Sequence, residues 1–201
     1  RKRMNILAVG AHPDDIEVGC SAALLNYTSK GHSAVCVCMT APNYIRYNEF
    51  VKSCSLMGCM PINYLADDTK LKCDYKTINA LEQYKLQYKP DLVFAPYPKD
   101  THQDHRNLSN AVLAAMRYSR NLLFYEGLTS IDFLPTVFFD IDDELYQKKL
   151  KVLNAHKSQV QRTNIEGISL FRAVTAMAIF RGLQGRTKYA EGFVPVRWYL
   201  T

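Results

Sequence analysis

The chain has 201 residues, 48% of them hydrophobic, and a formal net charge of +6 at pH 7. That is enough apolar side chain for a substantial core and too short for two independent domains, so one domain over residues 1–201 is expected. The basic residues are scattered, with only Arg1-Lys2-Arg3 as a run, which argues against a nucleic-acid partner, and no apolar stretch reaches the length of a membrane span.

Residues 4–9 read as a first strand and 17–29 as a helix stopped at Lys30-Gly31. Residues 33–39 alternate small and apolar side chains as a second strand. Residues 46–57 read as a helix with Phe50, Val51, Cys54 and Met57 on one side, ending near Gly58. A short third strand, 62–65, leads into a polar turn at Asp67-Asp68, and 75–88 is helical up to Lys89-Pro90. Strand 91–95 precedes helix 106–119, whose Leu108, Val112, Leu113 and Met116 face inward, and 121–125 is a fifth strand. Beyond residue 130 the pattern changes: 136–141 is strand-like, 143–155 and 168–182 are helix-like, and 193–200 is extended. Near-continuous apolar strands alternating with helices predict an α/β fold: a Rossmann-like, doubly wound, mostly parallel sheet with helices on both faces, plus a C-terminal α/β elaboration.

The six cysteines form no Cys-x-x-Cys pair, which argues against a structural zinc knuckle. The chain shows no signal peptide and its size needs no disulfides. Reduced core thiols in a soluble, cytoplasmic protein are the expectation, with a homo-oligomer left open.

Two polar clusters break the apolar pattern. Ala11-His12-Pro13-Asp14-Asp15 follows the first strand directly, and His102-Gln103-Asp104-His105 follows the fourth. Imidazoles and carboxylates are costly to bury unless paired or bound to a metal. A strand order 3-2-1-4 sets the first and fourth strands side by side where the order reverses, the place at which open α/β sheets bind ligands. His12, Asp15 and His105 are then candidate ligands of one divalent metal. Two imidazoles and one carboxylate leave a position open for water, the pattern of a catalytic rather than a structural zinc. Asp14 is placed to take a proton from that water. His102 stands at the edge as a proton donor or oxyanion stabiliser, with Asp104 holding its imidazole and keeping it cationic. Taken singly, Asp14 also reads as an N-cap, Asp104 or His105 as a helix start, and His32 and His156 as structural.

The two motifs, with Gly19 after the first, Ser158-Gln159, and the tail Tyr189-Ala190-Glu191-Gly192-Phe193, resemble the PIG-L/LmbE-like N-deacetylase family over nearly the whole chain. The resemblance implies a Rossmann-like fold, usual zinc dependence, and removal of acetyl from N-acetylglucosamine-type amino sugars in glycolipids, glycosylated thiol precursors or antibiotics. It implies His12, Asp15 and His105 as metal ligands, Asp14 as general base, and His102 as the protonated partner with Asp104 behind it. It further implies Arg46 near the sugar and Tyr189 near the reacting carbonyl. The loop Thr40-Ala41-Pro42-Asn43 is shorter than in many relatives, and Thr101 stands where the bacillithiol-pathway branch has arginine. Both departures fall where substrate is held, so no particular substrate carries over.

Together these readings predict a metal-dependent hydrolase that removes an N-acetyl group from an amino sugar in a glycoconjugate, nucleotide sugar or antibiotic precursor. Zinc is the expected cofactor, and iron(II) is also compatible with a His/His/Asp set. A hydrolase of a different amide or ester uses the same chemistry. A non-catalytic sugar-binding module needs neither Asp14 nor His102. A non-haem iron oxygenase leaves Asp15 idle and is commonly built on an all-β barrel, which the alternating pattern disfavours.

Overall fold

The computed structural model describes residues 3–160, 163 and 165–199, so Arg1, Lys2 and Leu200 of the segments above lie outside the described residues. Strand and helix alternate as β1 (Asn5–Gly10), α1 (Asp15–Ser29), β2 (Ser33–Thr40), α2 (Tyr44–Met57), β3 (Met60–Ala66), α3 (Tyr75–Tyr88), β4 (Leu92–Pro96), α4 (Gln103–Ala115) and β5 (Leu122–Tyr125). The remainder is β6 (Val137–Ile141), α5 (Asp143–Leu153), α6 (Leu170–Gly185) and β7 (Tyr189–Arg197). One sheet takes the order β3-β2-β1-β4-β5-β7-β6. Its first five strands are parallel, and β7 runs antiparallel to both of its neighbours.

Successive side chains of a strand point to opposite faces, and both faces here are covered. Ile6 and Ala8 of β1, Cys36 and Cys38 of β2 and Phe94 of β4 pack under α1 and α2, against Leu24, Phe50 and Met57. Leu7, Val9, Val35, Val37 and Val93 pack on the other face against Leu81 of α3 and Leu108, Val112 and Met116 at α4. That two-sided burial is why these strands read as unbroken apolar runs. Five cysteines are buried and free, and Cys73 is exposed and free. Among the described residues no helix is long and apolar enough to cross a membrane.

The C-terminal part differs from the sequence reading in one useful way. The last extended segment begins at Tyr189 rather than at residue 193, and it slots between β5 and β6. This brings Glu191 under α1. That helix is interrupted at Cys20, whose φ of −147° is not helical. The freed amides of Ala22 and Ala23 donate to the Glu191 carboxylate at 2.8 and 2.9 Å. The freed carbonyls of Glu17 and Val18 accept from Lys149 Nζ of α5, which also pairs with Glu191 at 2.6 Å. These two amides and two carbonyls thus have buried partners, as a break in a buried helix requires. Gly19 sits at the break because a Cβ there would overlap the Tyr125 ring, whose hydroxyl donates to the Val9 carbonyl at 2.7 Å. The first turn of α1 is thus aimed separately from the rest of the helix, toward the carboxyl end of β1.

Candidate metal and acid–base site

The strand order reverses between β1 and β4, and the loops leaving those two strands carry the two polar clusters. At the end of β1, both the amide and the hydroxyl of Thr40 donate to the Ala11 carbonyl, at 2.9 and 2.8 Å, which fixes the exit of the turn. The His12 amide donates to Asp15 Oδ2 at 2.9 Å. Asp14 takes φ +116°, a region that non-glycine side chains rarely adopt and that concentrates at functional sites. It occupies the N-cap position of α1 but makes no side-chain cap bond. Its carboxylate instead meets Arg46 of α2, whose Nη2 donates to Asp14 Oδ1 at 3.1 Å and to the Pro13 carbonyl at 2.6 Å.

At the end of β4, α4 starts at Gln103, three residues earlier than the sequence reading. His102 is its N-cap, and His102 Nδ1 accepts from the Asp104 amide at 3.2 Å. Asp104 and His105 therefore lie in the first helical turn and face the β1 loop. Three atoms meet there. His12 Nδ1 is 3.2 Å from His105 Nε2, Asp15 Oδ2 is 3.3 Å from His105 Nε2, and Asp15 Oδ2 is 3.7 Å from His12 Nδ1. Ligands about 2.1 Å from a tetrahedral ion are about 3.4 Å apart, so the spacing of this N,N,O triangle suits one divalent cation. Among the described residues, His12, His102 and His105 form one group close enough to share an ion, and His12, Asp68 and Asp104 form another.

Two further carboxylates complete the shell. Asp104 is fully buried, accepts from the Thr69 and Leu71 amides at 2.8 and 3.2 Å, and lies 3.2 Å from His12 Nε2. The sequence reading put Asp104 behind His102; its carboxylate instead backs His12, because the amides of the β3–α3 turn hold it on that side. Asp100, 3% exposed, lies 3.1 Å from His105 Nδ1. Neither Asp100 nor Asp68 was singled out in the sequence, where Lys99-Asp100-Thr101 and Asp67-Asp68 look like ordinary polar turns. The available signal was proximity to the histidines, since a ligating imidazole wants a carboxylate on its second nitrogen.

The charge balance follows from this crowding. Burial disfavours the His105 cation, but the charges and hydrogen bonds of Asp15 and Asp100 win and raise its pKa to about 11. Burial likewise works against the His12 cation, and Asp15 overrides it to raise the pKa. Burial pushes the Asp15 carboxyl up, and His105 and His12 draw it well below its usual value. Asp14 goes the other way: burial raises its pKa to about 7, with the Arg46 charge opposing and Asp15 adding to the rise. His102 is lowered by burial and by the neighbouring His12 and His105 charges. That direction runs against the cation expected from the sequence, and Nδ1, which accepts from the Asp104 amide, leaves Nε2 as the nitrogen that faces the pocket with a proton to donate. The site's carboxylates outnumber its imidazoles, a balance that favours a cation between them.

The site opens into a pocket of about 300 Å³ lined by His12, Asp14, Asp15, Arg46, His102 and His105 on its polar side and by Val18, Pro96, Tyr125, Leu128 and Leu170 on its apolar side. Arg46 belongs to this pocket. Tyr189 does not: it stacks on Tyr146 with ring centroids 4.2 Å apart and is paired with Ile141 of β6. Its place in the tail motif reflects the seating of β7, whose buried chemical group is Glu191. His156 is fully buried beside the site, 3.0 Å from Glu17 Oε1.

A family model described as "PIG-L: GlcNAc-PI de-N-acetylase" matches residues 7–116, more than half of the chain. The chain is 36% identical over 171 residues to the uncharacterized deacetylase YaiS of Escherichia coli (strain K12), an overlap of 78% of this chain and 92% of that one. The chain belongs to the PIG-L family of de-N-acetylases. Its fold is similar to that of the conserved protein TT1542 from Thermus thermophilus, with a TM-score of 0.85 and 25% identity over 98% of this chain and 97% of that one. It is also similar to that of N,N'-diacetylchitobiose deacetylase from Pyrococcus horikoshii, with a TM-score of 0.83 and 22% identity over 96% of this chain and 84% of that one.

Proposed function

We propose that this protein is a metal-dependent N-deacetylase that removes the acetyl group from an N-acetylated amino sugar within a larger conjugate. The observation that carries the reading is the His12–His105–Asp15 triangle with Asp14 beside it at the mouth of one pocket. His12, Asp15 and His105 would hold the ion, zinc or iron(II), which supplies Lewis acidity to a water and to the amide carbonyl.

The remaining chemistry belongs to the chain. Asp14 accepts the proton of the attacking water and returns it to the departing amine; a carboxyl with a pKa near 7 is suited to both transfers at neutral pH. Arg46 opposes the upward push of burial on that carboxyl and aims it. His102, neutral with its proton on Nε2, donates a hydrogen bond to the oxygen that becomes anionic as water adds. The pocket volume lies at the low end for small-ligand sites. One amino-sugar unit occupies it, with Leu128 and Leu170 against the sugar and the rest of the conjugate outside.

Acetate release over a panel of N-acetylhexosamine conjugates (nucleotide-linked, lipid-linked, thiol-linked and antibiotic-linked) tests the reading. Release from at least one class is expected, abolished by chelation and restored by zinc or iron(II). Full rate after complete metal removal would overturn it, and binding without turnover across the panel would leave a sugar-binding module.

A further inference from the structure

Asp100 is the most heavily engaged carboxylate near the site that the chemistry above does not use. It sits just beyond β4, 3% exposed, and all four of its contacts are specific. Oδ1 accepts from the His102 amide at 2.8 Å and from Thr129 Oγ1 at 2.6 Å. Oδ2 accepts from Ser130 Oγ at 3.2 Å and lies 3.1 Å from His105 Nδ1. Thr129 and Ser130 belong to the loop leaving β5, which supplies Gly127, Leu128 and Thr129 to the pocket wall. The two loops are also stitched by backbone: the Thr101 amide donates to the Thr129 carbonyl at 3.1 Å, and the Ile131 amide to the Lys99 carbonyl at 2.9 Å. Asp100 pairs with Ser130 across this short antiparallel bridge.

We infer that Asp100 is a positioning residue that orients His105 toward the metal and, through Thr129 and Ser130, ties metal loading to the order of the pocket-wall loop at residues 127–131. The inference rests on the metal-centre reading above. His105 Nε2 faces His12 and Asp15, so its Nδ1 is the nitrogen left to donate, with Asp100 Oδ2 at 3.1 Å and Thr129 Oγ1 at 3.4 Å beside it. This fixes the tautomer that leaves Nε2 free as a ligand. An ion held between Nε2, His12 and Asp15 would fix the plane of the ring, which keeps Nδ1 against Asp100 and so restrains the loop.

Asn is the informative substitution. In Asp100→Asn, Oδ1 still accepts from His102 and Thr129, while the atom facing His105 becomes an amide nitrogen that cannot accept. Zinc affinity of the purified protein, measured by competition with a chromophoric chelator, is expected to fall about 10- to 100-fold, the usual cost of losing such a partner. Hydrogen exchange is the second readout. Zinc should slow exchange at the Thr101 and Ile131 amides in the unaltered protein and much less in Asp100→Asn. Wild-type zinc affinity in a folded Asp100→Asn overturns the inference. Should that variant not fold, Thr129→Val carries the test, because it removes the hydroxyl that donates to the Asp100 carboxylate and lies 3.4 Å from His105 Nδ1. A loss of about tenfold or more in zinc affinity is expected, and no loss overturns the inference. Zinc binding without acetate release would sink the deacetylase reading alone; failure of the unaltered protein to bind zinc or iron(II) would sink both.

Discussion

Asp14 is held at φ +116°, and Asn is the replacement that keeps its shape and size there. Asp14→Asn therefore removes the proton acceptor and keeps the turn. In steady-state assays kcat should fall by about 10²- to 10⁴-fold with KM little changed; unchanged kcat would remove Asp14 from the role of base. The His-Pro-Asp-Asp run was legible in the sequence because three polar groups at the end of an apolar strand have no packing explanation. Which group backs which was not legible. The side on which Asp104 lies depends on amides of Thr69 and Leu71, from a turn more than thirty residues away. Asp100 went unseen for a similar reason, since its partners Thr129 and Ser130 come from the far side of β5.

At the scale of elements, α1 depends on two buried ion pairs from the C-terminal part of the chain. Glu191→Gln leaves the Lys149 ammonium buried without its counter-charge and should cost about 3–5 kcal/mol, read by urea unfolding. Glu17 and His156 form the second pair. Burial opposes both charged forms, yet each partner favours the other's ionisation, so the Glu17 pKa is lowered and that of His156 is raised. The sign follows for each. The His156 contribution is complete below its unfolded pKa and is lost as pH rises through the higher folded value; the Glu17 contribution is complete above its unfolded pKa and is lost as pH falls through the lower folded value. The stability gap between the unaltered protein and His156→Gln should thus be widest at mildly acidic to neutral pH and close at either extreme. Urea midpoints across a pH series check this, and a gap flat with pH would refute the ion pair. Helix cores follow from apolar spacing, whereas helix starts are set by side chains that cap. Asn43 accepts from the Arg46 amide and begins α2 at Tyr44, and His102 begins α4 at Gln103.

For the whole molecule, alternating strands and helices announced the parallel half of the sheet, because two-sided burial writes itself into composition. The antiparallel half was less visible, since β7 carries Gly192 and Pro195 and lacks a regular alternation. The distribution of thiols offers a check on the packing. Cys73 is exposed and the other five cysteines are buried, so a small thiol reagent should label one group per folded chain and six after denaturation. Zinc should raise the thermal midpoint in a concentration-dependent way, since an ion that binds only the folded state stabilises by mass action.

The seating of β7 also has a consequence in time. A ribosome delivers the chain from its amino end, and early segments begin to collapse before late ones exist. His12, Asp15 and His105 all emerge long before Glu191, yet the helix that begins at Asp15 is finished only when Glu191 reaches the amides of Ala22 and Ala23. Until β7 emerges, a nascent chain thus carries its would-be metal ligands on an unfinished scaffold. Competence waits for β7, which makes that strand the step that commits the nascent protein to its working form.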